Sequence, residues 1–393
     1  MKKNLLTIYE GLCSCAVFYR VMEKPVFKAY EQYCQAETTK AKRKAYTLFV
    51  AEIYEQGGNL TVLTERLVSE DENTYIKGIA AKRSVDENIQ KSVLRELAIM
   101  STFASLTAKD FAEDMGVCMD DLPQFTSVNA DMVASYKKRI DNLSKYGYGI
   151  FSSVCMFRLS DDKKIEPIVS ADKISMAQFI GYEGEREKIV ANTRAFVEGR
   201  PAANALLCGD AGTGKSSTVK AVANAFFDEG VRLIELRKDQ LRYLPLVMGK
   251  VSGNPLKFII FIDDLSFNQN NDDFSMLKAA LEGSASATAD NAVIYATSNR
   301  RHIVKESFGD REGDDVHRND TMQETLSLSE RFGLTVLFSK PNKQLYLKIV
   351  KELASRTGIT MDEKELEIQA EAFALRKGNR SARCAEQFIN SLL

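Results

Sequence analysis

The chain has 393 residues, 45% of them hydrophobic and 27% charged, with a formal net charge of −1. That length exceeds one ordinary domain, so two or three are expected. The near-neutral balance excludes a global basic field for nucleic acid, leaving only local patches. Seven cysteines are scattered without zinc spacing, and the chain has only two histidines. Reduced, packed thiols are expected rather than a disulfide framework or a metal centre.

The N-terminus, Met1-Lys2-Lys3-Asn4-Leu5-Leu6, opens like a signal peptide, but Tyr9, Glu10 and Gly11 cut the apolar run short. No stretch reaches membrane-spanning length, so a cytoplasmic location without a membrane partner is expected. Residues 1–146 read as a mainly helical N-terminal domain. Across 26–57, Phe27, Tyr30, Tyr33, Tyr46, Phe49, Val50, Ile53 and Tyr54 recur at helical spacing. Lys40, Lys42, Arg43 and Lys44 within it read as a solvated helix face rather than a nucleic-acid patch. Further helices are expected over 84–115 and 130–146. No chemistry is visible here, only a helical interaction or autoregulatory domain.

Residues 147–175 read as a β-hairpin connector, with strands near 151–159 and 165–169 around a turn at 160–164. From 176 to 340 the pattern alternates. A helix at 183–198 ends at Gly199 and Pro201, and an apolar run at 205–208 leads to a helix-like run at 217–228. Then follow strand 231–236, helix 239–250, strand 257–262, helix 274–282, strand 292–297, a polar loop and strand 334–338. Nearly all-apolar strands interleaved with helices predict an α/β core with a parallel sheet covered on both faces. The charged loop 305–325 (Asp310, Arg311, Glu312, Asp314, Asp315) is expected to be mobile or ordered by a partner. Pro341 breaks the chain, and 341–393 reads as a helical lid. Its expected boundaries are a capping box at Thr360 and Glu363, stops at Gly358 and Gly378, and a cap at Ser381.

Four stretches carry chemistry. Gly209-Asp210-Ala211-Gly212-Thr213-Gly214-Lys215-Ser216 stands between the strand at 205–208 and a helix, the setting of a phosphate-binding P-loop. Its glycines let backbone N–H groups curl toward an anion, and Ser217 continues the helix N-terminus that faces it. Lys215 is expected to reach the β- and γ-phosphates and the Ser216 hydroxyl to ligate Mg²⁺. The apolar strand at 258–262 ends in Asp263 and Asp264, the first a Mg²⁺ residue and the second a candidate base. Asn299, with Thr297 in reserve, ends another strand where open α/β sheets bind ligands. Arg331, in Ser329-Glu330-Arg331-Phe332-Gly333-Leu334, is a candidate to neutralise transition-state charge, with Arg300 and Arg301 as rivals.

Together these features resemble the AAA+ ATPases. From about 146 to 393 the chain is similar to a bacterial AAA+ family known only as a domain of unknown function. The strings that carry this are Gly181-Tyr182-Glu183, Asp263-Asp264-Leu265-Ser266-Phe267, Ala296-Thr297-Ser298-Asn299-Arg300-Arg301-His302 and Leu326-Ser327-Leu328-Ser329-Glu330-Arg331-Phe332-Gly333. The resemblance implies a five-stranded parallel sheet with a helical lid, binding ATP and Mg²⁺. It implies that Ile180, Gly181 and Tyr182 lie against adenine and that Arg331 acts in trans in a homo-oligomer. Arg383, or Arg380 beside it, would be the lid's sensor arginine. Two departures stand out. Asp264 replaces the usual Glu, as in replication-initiator and helicase-loader relatives. The segment Arg237-Lys238-Asp239-Gln240 lacks the aromatic pore loop of threading motors, and Tyr243 comes too late to supply it. The implied function is ATP hydrolysis coupled to remodelling or loading a protein or nucleic-acid client. The alternative is a nucleotide-dependent binding switch with little turnover. The lid and the Arg331 string argue against a small-molecule kinase.

Overall fold

The computed structural model describes residues 4–169, 174–265, 277, 281, 289–299 and 331–393. By its internal contacts the chain forms two units, Met1–Ser153 and Val154–Leu393. Among the described residues no helix is long and apolar enough to cross a membrane. The expected helix 274–282, apart from Leu277 and Leu281, lies outside the described residues, as do Arg300, Arg301 and the loop 305–325.

The first unit is built from helices: α1 (Leu5–Cys13), α2 (Tyr19–Met22), α3 (Pro25–Gln35), α4 (Thr39–Glu55), α5 (Leu60–Glu70), α6 (Thr74–Ala80), α7 (Glu87–Ala104), α8 (Ala108–Met115), α9 (Met132–Asp141) and α10 (Leu143–Tyr146). The helical stretch read at 26–57 is thus two helices. Pro25 opens the first, and the Thr38 hydroxyl caps the second by accepting from Ala41 N. Their apolar stripes meet in an aromatic core, where the Tyr30 and Phe103 rings stand 5.0 Å apart edge to face. Lys40, Arg43 and Lys44 are exposed, and Lys42 pairs with Asp114 at 2.7 Å.

One buried charge ties the chain's start to α7. The Glu96 carboxylate accepts from the N–H groups of Ala16 (2.9 Å), Val17 (3.1 Å) and Phe18 (3.0 Å). Glu96→Ala would orphan these donors, of which Phe18 N lies in the buried core, and is expected to cost about 3 kcal/mol of stability, measured by urea unfolding.

In the second unit the strands are β1 (Met156–Leu159), β2 (Ile165–Pro167), β3 (Ala205–Gly209), β4 (Val231–Leu236), β5 (Lys257–Ile262), β6 (Ala292–Ser298) and β7 (Leu334–Phe338). They form one sheet in the order β2-β1-β4-β5-β6-β3-β7. The hairpin β1–β2 is antiparallel, and every other neighbour pairs in parallel. β3 to β6 are almost wholly buried, as a sheet covered on both faces requires. The helices α11 (Glu183–Val197) and α12 (Lys215–Ala225) contribute Ile189, Phe196, Val219 and Val222 to the core against this sheet.

Where a single helix is expected at 239–250, a 3₁₀ segment (Lys238–Tyr243) precedes α13 (Leu244–Val251). Pro245 is the cause: lacking an N–H, it fits a helix's first turn and not its interior. The lid comprises α14 (Lys343–Thr357), α15 (Glu363–Arg376) and α16 (Ala382–Asn390) around its own core of Tyr346, Val350, Leu366, Ala370 and Phe388. Asp362, not Thr360, caps α15, accepting from Lys364 N and Glu365 N. Ser381 caps α16 through Cys384 N at 3.1 Å.

The strand order explains where a ligand belongs. From β3 the chain runs outward to β4, returns through β5 and β6 to β3's flank, then crosses to β7 on β3's other side. Connections diverge around β3, leaving a crevice at the carboxyl ends of β3 and β6.

Candidate nucleotide site

At the end of β3 the chain must turn hard against β7. Gly209 sits at φ +137°, and a Cβ there would lie 2.0 Å from the Phe338 carbonyl oxygen. Gly212 (φ +76°) and Gly214 (φ +85°) are also left-handed and complete the curl. α12 begins at Lys215, and its first turn closes with Thr218 N donating to Gly214 O at 2.8 Å. The N–H groups of Lys215, Ser216 and Ser217 precede that bond, which makes them donors for an anion.

Lys215 is buried, with its ammonium donating to Gly209 O (2.9 Å), Asp210 O (2.8 Å) and Asn299 Oδ1 (2.9 Å). Burial pushes its pKa below the ordinary lysine value, opposed chiefly by the field of Asp210. Ser216 Oγ donates to Asp263 Oδ1 at 2.6 Å, and Thr297 Oγ1 donates to the same oxygen at 2.6 Å. Thr297 Oγ1 in turn accepts from Asp264 N at 2.9 Å, which holds Asp264 at an uncommon φ of +52°. Asn299 Nδ2 donates to Asp264 Oδ1 at 2.7 Å. Asn299 thus bridges Lys215 and Asp264, while the buried Thr297 holds the two aspartates in place.

Two cavities flank the loop. The polar one, about 230 Å³, is bounded by Lys215, Ser216, Asp263, Asp264, Asn299 and Arg383. The second, about 200 Å³, is bounded by Phe179, Ile180, Tyr182 and Arg186 on one side and by Ile349 and Leu353 of the lid on the other. Gly212, Gly214, Ser217 and Arg383 line both, so the two are halves of one cleft. Gly181 is left-handed at φ +73°, and Tyr182 donates its hydroxyl to Ser339 O at 2.6 Å. Burial pushes the Tyr182 phenol up to about 12, so it stays a neutral donor.

The two candidate sensor arginines of the lid are separated by their partners. Arg380 is held bidentately by Glu371, with Nε to Oε1 at 2.9 Å and Nη2 to Oε2 at 2.7 Å. Arg383 lines both cavities, and its N–H approaches Gly212 O at 3.4 Å. Arg331 lies three residues before β7, whose Leu334 pairs with Ala205 and Phe338 with Gly209. At about 3.3 Å per residue the strand alone separates the two ends by some 13 Å. Arg331 thus precedes the end of β7 opposite the one that reaches the P-loop.

Arg186 is a site residue that motif reading misses. It faces inward from α11 among Ile189, Thr193 and Phe196. The signal available was a single charge on the stripe 182, 186, 189, 193 and 196.

The donor set suits a hard divalent cation. A hydroxyl and a carboxylate stand together at Ser216 and Asp263, as Mg²⁺ requires when phosphates and water complete its shell. Among the described residues no cluster of three or more His, Cys, Asp or Glu could hold a metal unaided.

Strand order, P-loop, paired carboxylates and lid define an AAA+ P-loop ATPase fold. Residues 152–393 match the family described as "Protein of unknown function (DUF815)", and the chain belongs to that family. No curated protein matches the chain. Among solved structures, the Thermotoga maritima RuvB Holliday junction branch migration motor is 14% identical, with a TM-score of 0.34, over 56% of this chain and 72% of that one. Two of its point variants match at 14% and 15% identity, each with a TM-score of 0.35 and 56% of this chain covered, against 73% and 72% of theirs.

Gly209→Ala forces a methyl into the Phe338 carbonyl and a side chain into positive φ. The expected outcome is a folded sheet with a displaced P-loop: nucleotide affinity falls by more than about tenfold, measured by calorimetry, as misplacement at such a site does.

Proposed function

We propose that this protein binds ATP with Mg²⁺ and hydrolyses it, coupling the cycle to remodelling or loading a protein or nucleic-acid client. The observation that carries this reading is the connected set Lys215, Asn299, Asp264, Thr297, Asp263 and Ser216 at one cleft. The polar half of the cleft has the donors and cation for a triphosphate. The other half suits a base: Ile180 N–H and C=O make no hydrogen bond among the described residues. A donor beside an acceptor complements adenine, which shows an acceptor nitrogen next to an amino group.

The roles follow from position. Lys215 would leave its loop carbonyls for the β- and γ-phosphates, exchanging neutral acceptors for charged ones. Ser216 and Asp263 would hold Mg²⁺, which neutralises charge on the phosphate oxygens when bound. Asp264 would orient and deprotonate the attacking water once Asn299 releases it, and Asn299 would then contact that water or the γ-phosphate. Arg383, rather than the Glu371-bound Arg380, is favoured as the lid's sensor. Strand length favours Arg331 serving another chain's γ-phosphate, which makes a homo-oligomer the active form.

Lys215→Ala removes the cation aimed at the phosphates and should abolish ATP binding measured by calorimetry. Unchanged affinity would sink the nucleotide reading. Arg331→Ala should leave ATP affinity nearly intact while lowering turnover about a thousandfold. Mixing Arg331→Ala with Lys215→Ala chains should restore part of the activity, because each supplies what the other lacks. A dead mixture of chains shown to co-assemble would exclude a trans finger.

A second reading has its own support. Asn299 holds Asp264, a carboxylate one methylene shorter than the usual Glu, which favours a binding switch with little turnover. ATP-dependent partner capture by wild-type protein with no concentration-dependent ATPase would decide for it.

A further inference from the structure

The cleft's base side contains a cation that no protein acceptor holds among the described residues. Arg186 is 5% exposed, and its guanidinium lies 4.8 Å from the centroid of the Phe179 ring. Among the described residues it has no hydrogen-bonded acceptor and no ion-pair partner; Glu183 and Glu185 act on it only through space. Arg232, the other buried arginine, donates to Phe227 O at 3.0 Å and to Val231 O at 2.8 Å. A guanidinium offers five N–H donors, no acceptor, and keeps its proton. The Arg186 nitrogens are not among the fully enclosed atoms left without a partner, so they border the cleft, while most of the side chain is packed and an aromatic face backs the charge. Its place against a cavity points to a ligand that supplies the missing acceptor.

We propose that Arg186 reads the nucleobase, donating to a ring nitrogen of the purine while the Phe179 ring backs the guanidinium. This rests on the nucleotide reading above and says which part of the nucleotide meets which residue. Arg186 lines the base cavity with Phe179, Ile180 and Tyr182 and not the polar one with Lys215, Ser216 and Asp263, which favours a contact to the base over one to the phosphates. A guanidinium alone matches guanine, whose O6 and N7 are both acceptors. Ile180 adds a donor and an acceptor side by side, a demand that adenine's amino edge meets and that guanine meets only through O6 and N1–H. Adenine satisfies both if its amino edge meets Ile180 and a separate ring nitrogen meets Arg186.

The test is calorimetric binding of ATP and of its 1-, 3- and 7-deaza analogues, each replacing one ring nitrogen by CH, to wild-type protein, Arg186→Met and Arg186→Gln. The analogue that lacks the Arg186 acceptor should bind wild type roughly ten- to a hundredfold more weakly than ATP, the range for a hydrogen bond to a charged group, while the one that lacks the Ile180 acceptor should be weakened in wild type and Arg186→Met alike. Arg186→Met should weaken ATP by a similar factor and no longer distinguish that analogue. Arg186→Gln, which keeps N–H donors, should restore part of the discrimination. Tight ATP binding with no analogue weakened in wild type, or every weakening seen in wild type persisting unchanged in Arg186→Met, overturns this inference alone. Failure of ATP to bind wild type overturns the nucleotide reading and this inference with it.

Discussion

A buried ammonium group is tolerated only where acceptors surround it, and the site is arranged around meeting that condition at Lys215. Its three acceptors come from two places: the loop's own carbonyls at Gly209 and Asp210, and Asn299 just beyond β6. For the Gly209 carbonyl to turn back toward the lysine, its backbone must adopt φ +137° beside Phe338. For Asn299 to arrive, β6 must lie next to β3, as the register Cys208 to Ser298 provides. The curl of the loop, the sheet order and the end of β6 thus share one electrostatic requirement. The acceptors are all neutral, so an incoming phosphate offers Lys215 a stronger partner.

That exchange does not stop at the lysine. Asp263 Oδ1 accepts from Ser216, Thr297 and Asp264 N, and Asn299 joins Asp264 back to Lys215. The chain of bonds is closed. In the proposed reading, phosphate at Lys215 and Mg²⁺ at Ser216 draw on opposite ends of it together, and the Asn299–Asp264 contact is where the two pulls meet. Networks of this kind have discrete arrangements rather than a continuum. Motor and switch differ in one step, whether Asp264 leaves Asn299 far enough to meet a water.

The site's skeleton is legible in the sequence because phosphate chemistry needs particular residues at fixed spacing: three glycines, a lysine, a hydroxyl, and carboxylates at a strand's end. Arg186 is not legible in that way, since its meaning comes from facing inward without a partner, which only the packing of α11 reveals. Arg380 and Arg383 are three residues apart and chemically identical. Glu371, nine residues before Arg380 on another helix, separates them. Thr297 lies within β6 and holds the two aspartates, whereas Asn299 stands one residue past the strand, where the chain is free to carry it between Asp264 and Lys215. The split at 238–251 follows from Pro245, a local cue that helical periodicity outweighs when read alone.

The lid's attachment gives the nucleotide a mechanical outlet. Gly212 lies so close to α16 that a Cβ would stand 3.1 Å from Ser381 Oγ and 3.3 Å from Arg383 Cβ. Ser381 is the residue that caps α16, and α16 shares a core with α14 and α15. A shift of the loop therefore meets the end of a helix bound into a packed three-helix body, and packed bodies move as units rather than deform. On the other flank, Tyr182 ties the start of α11 to Ser339, just after β7 and before the lid. The lid thus meets the site at its phosphate side through Gly212, and Tyr182 anchors the segment that leads into it, so in the proposed reading a nucleotide that drew Lys215 and Arg383 together would change the angle between lid and sheet. Remodelling a client and recruiting a partner would both read that angle; they differ in whether hydrolysis resets it.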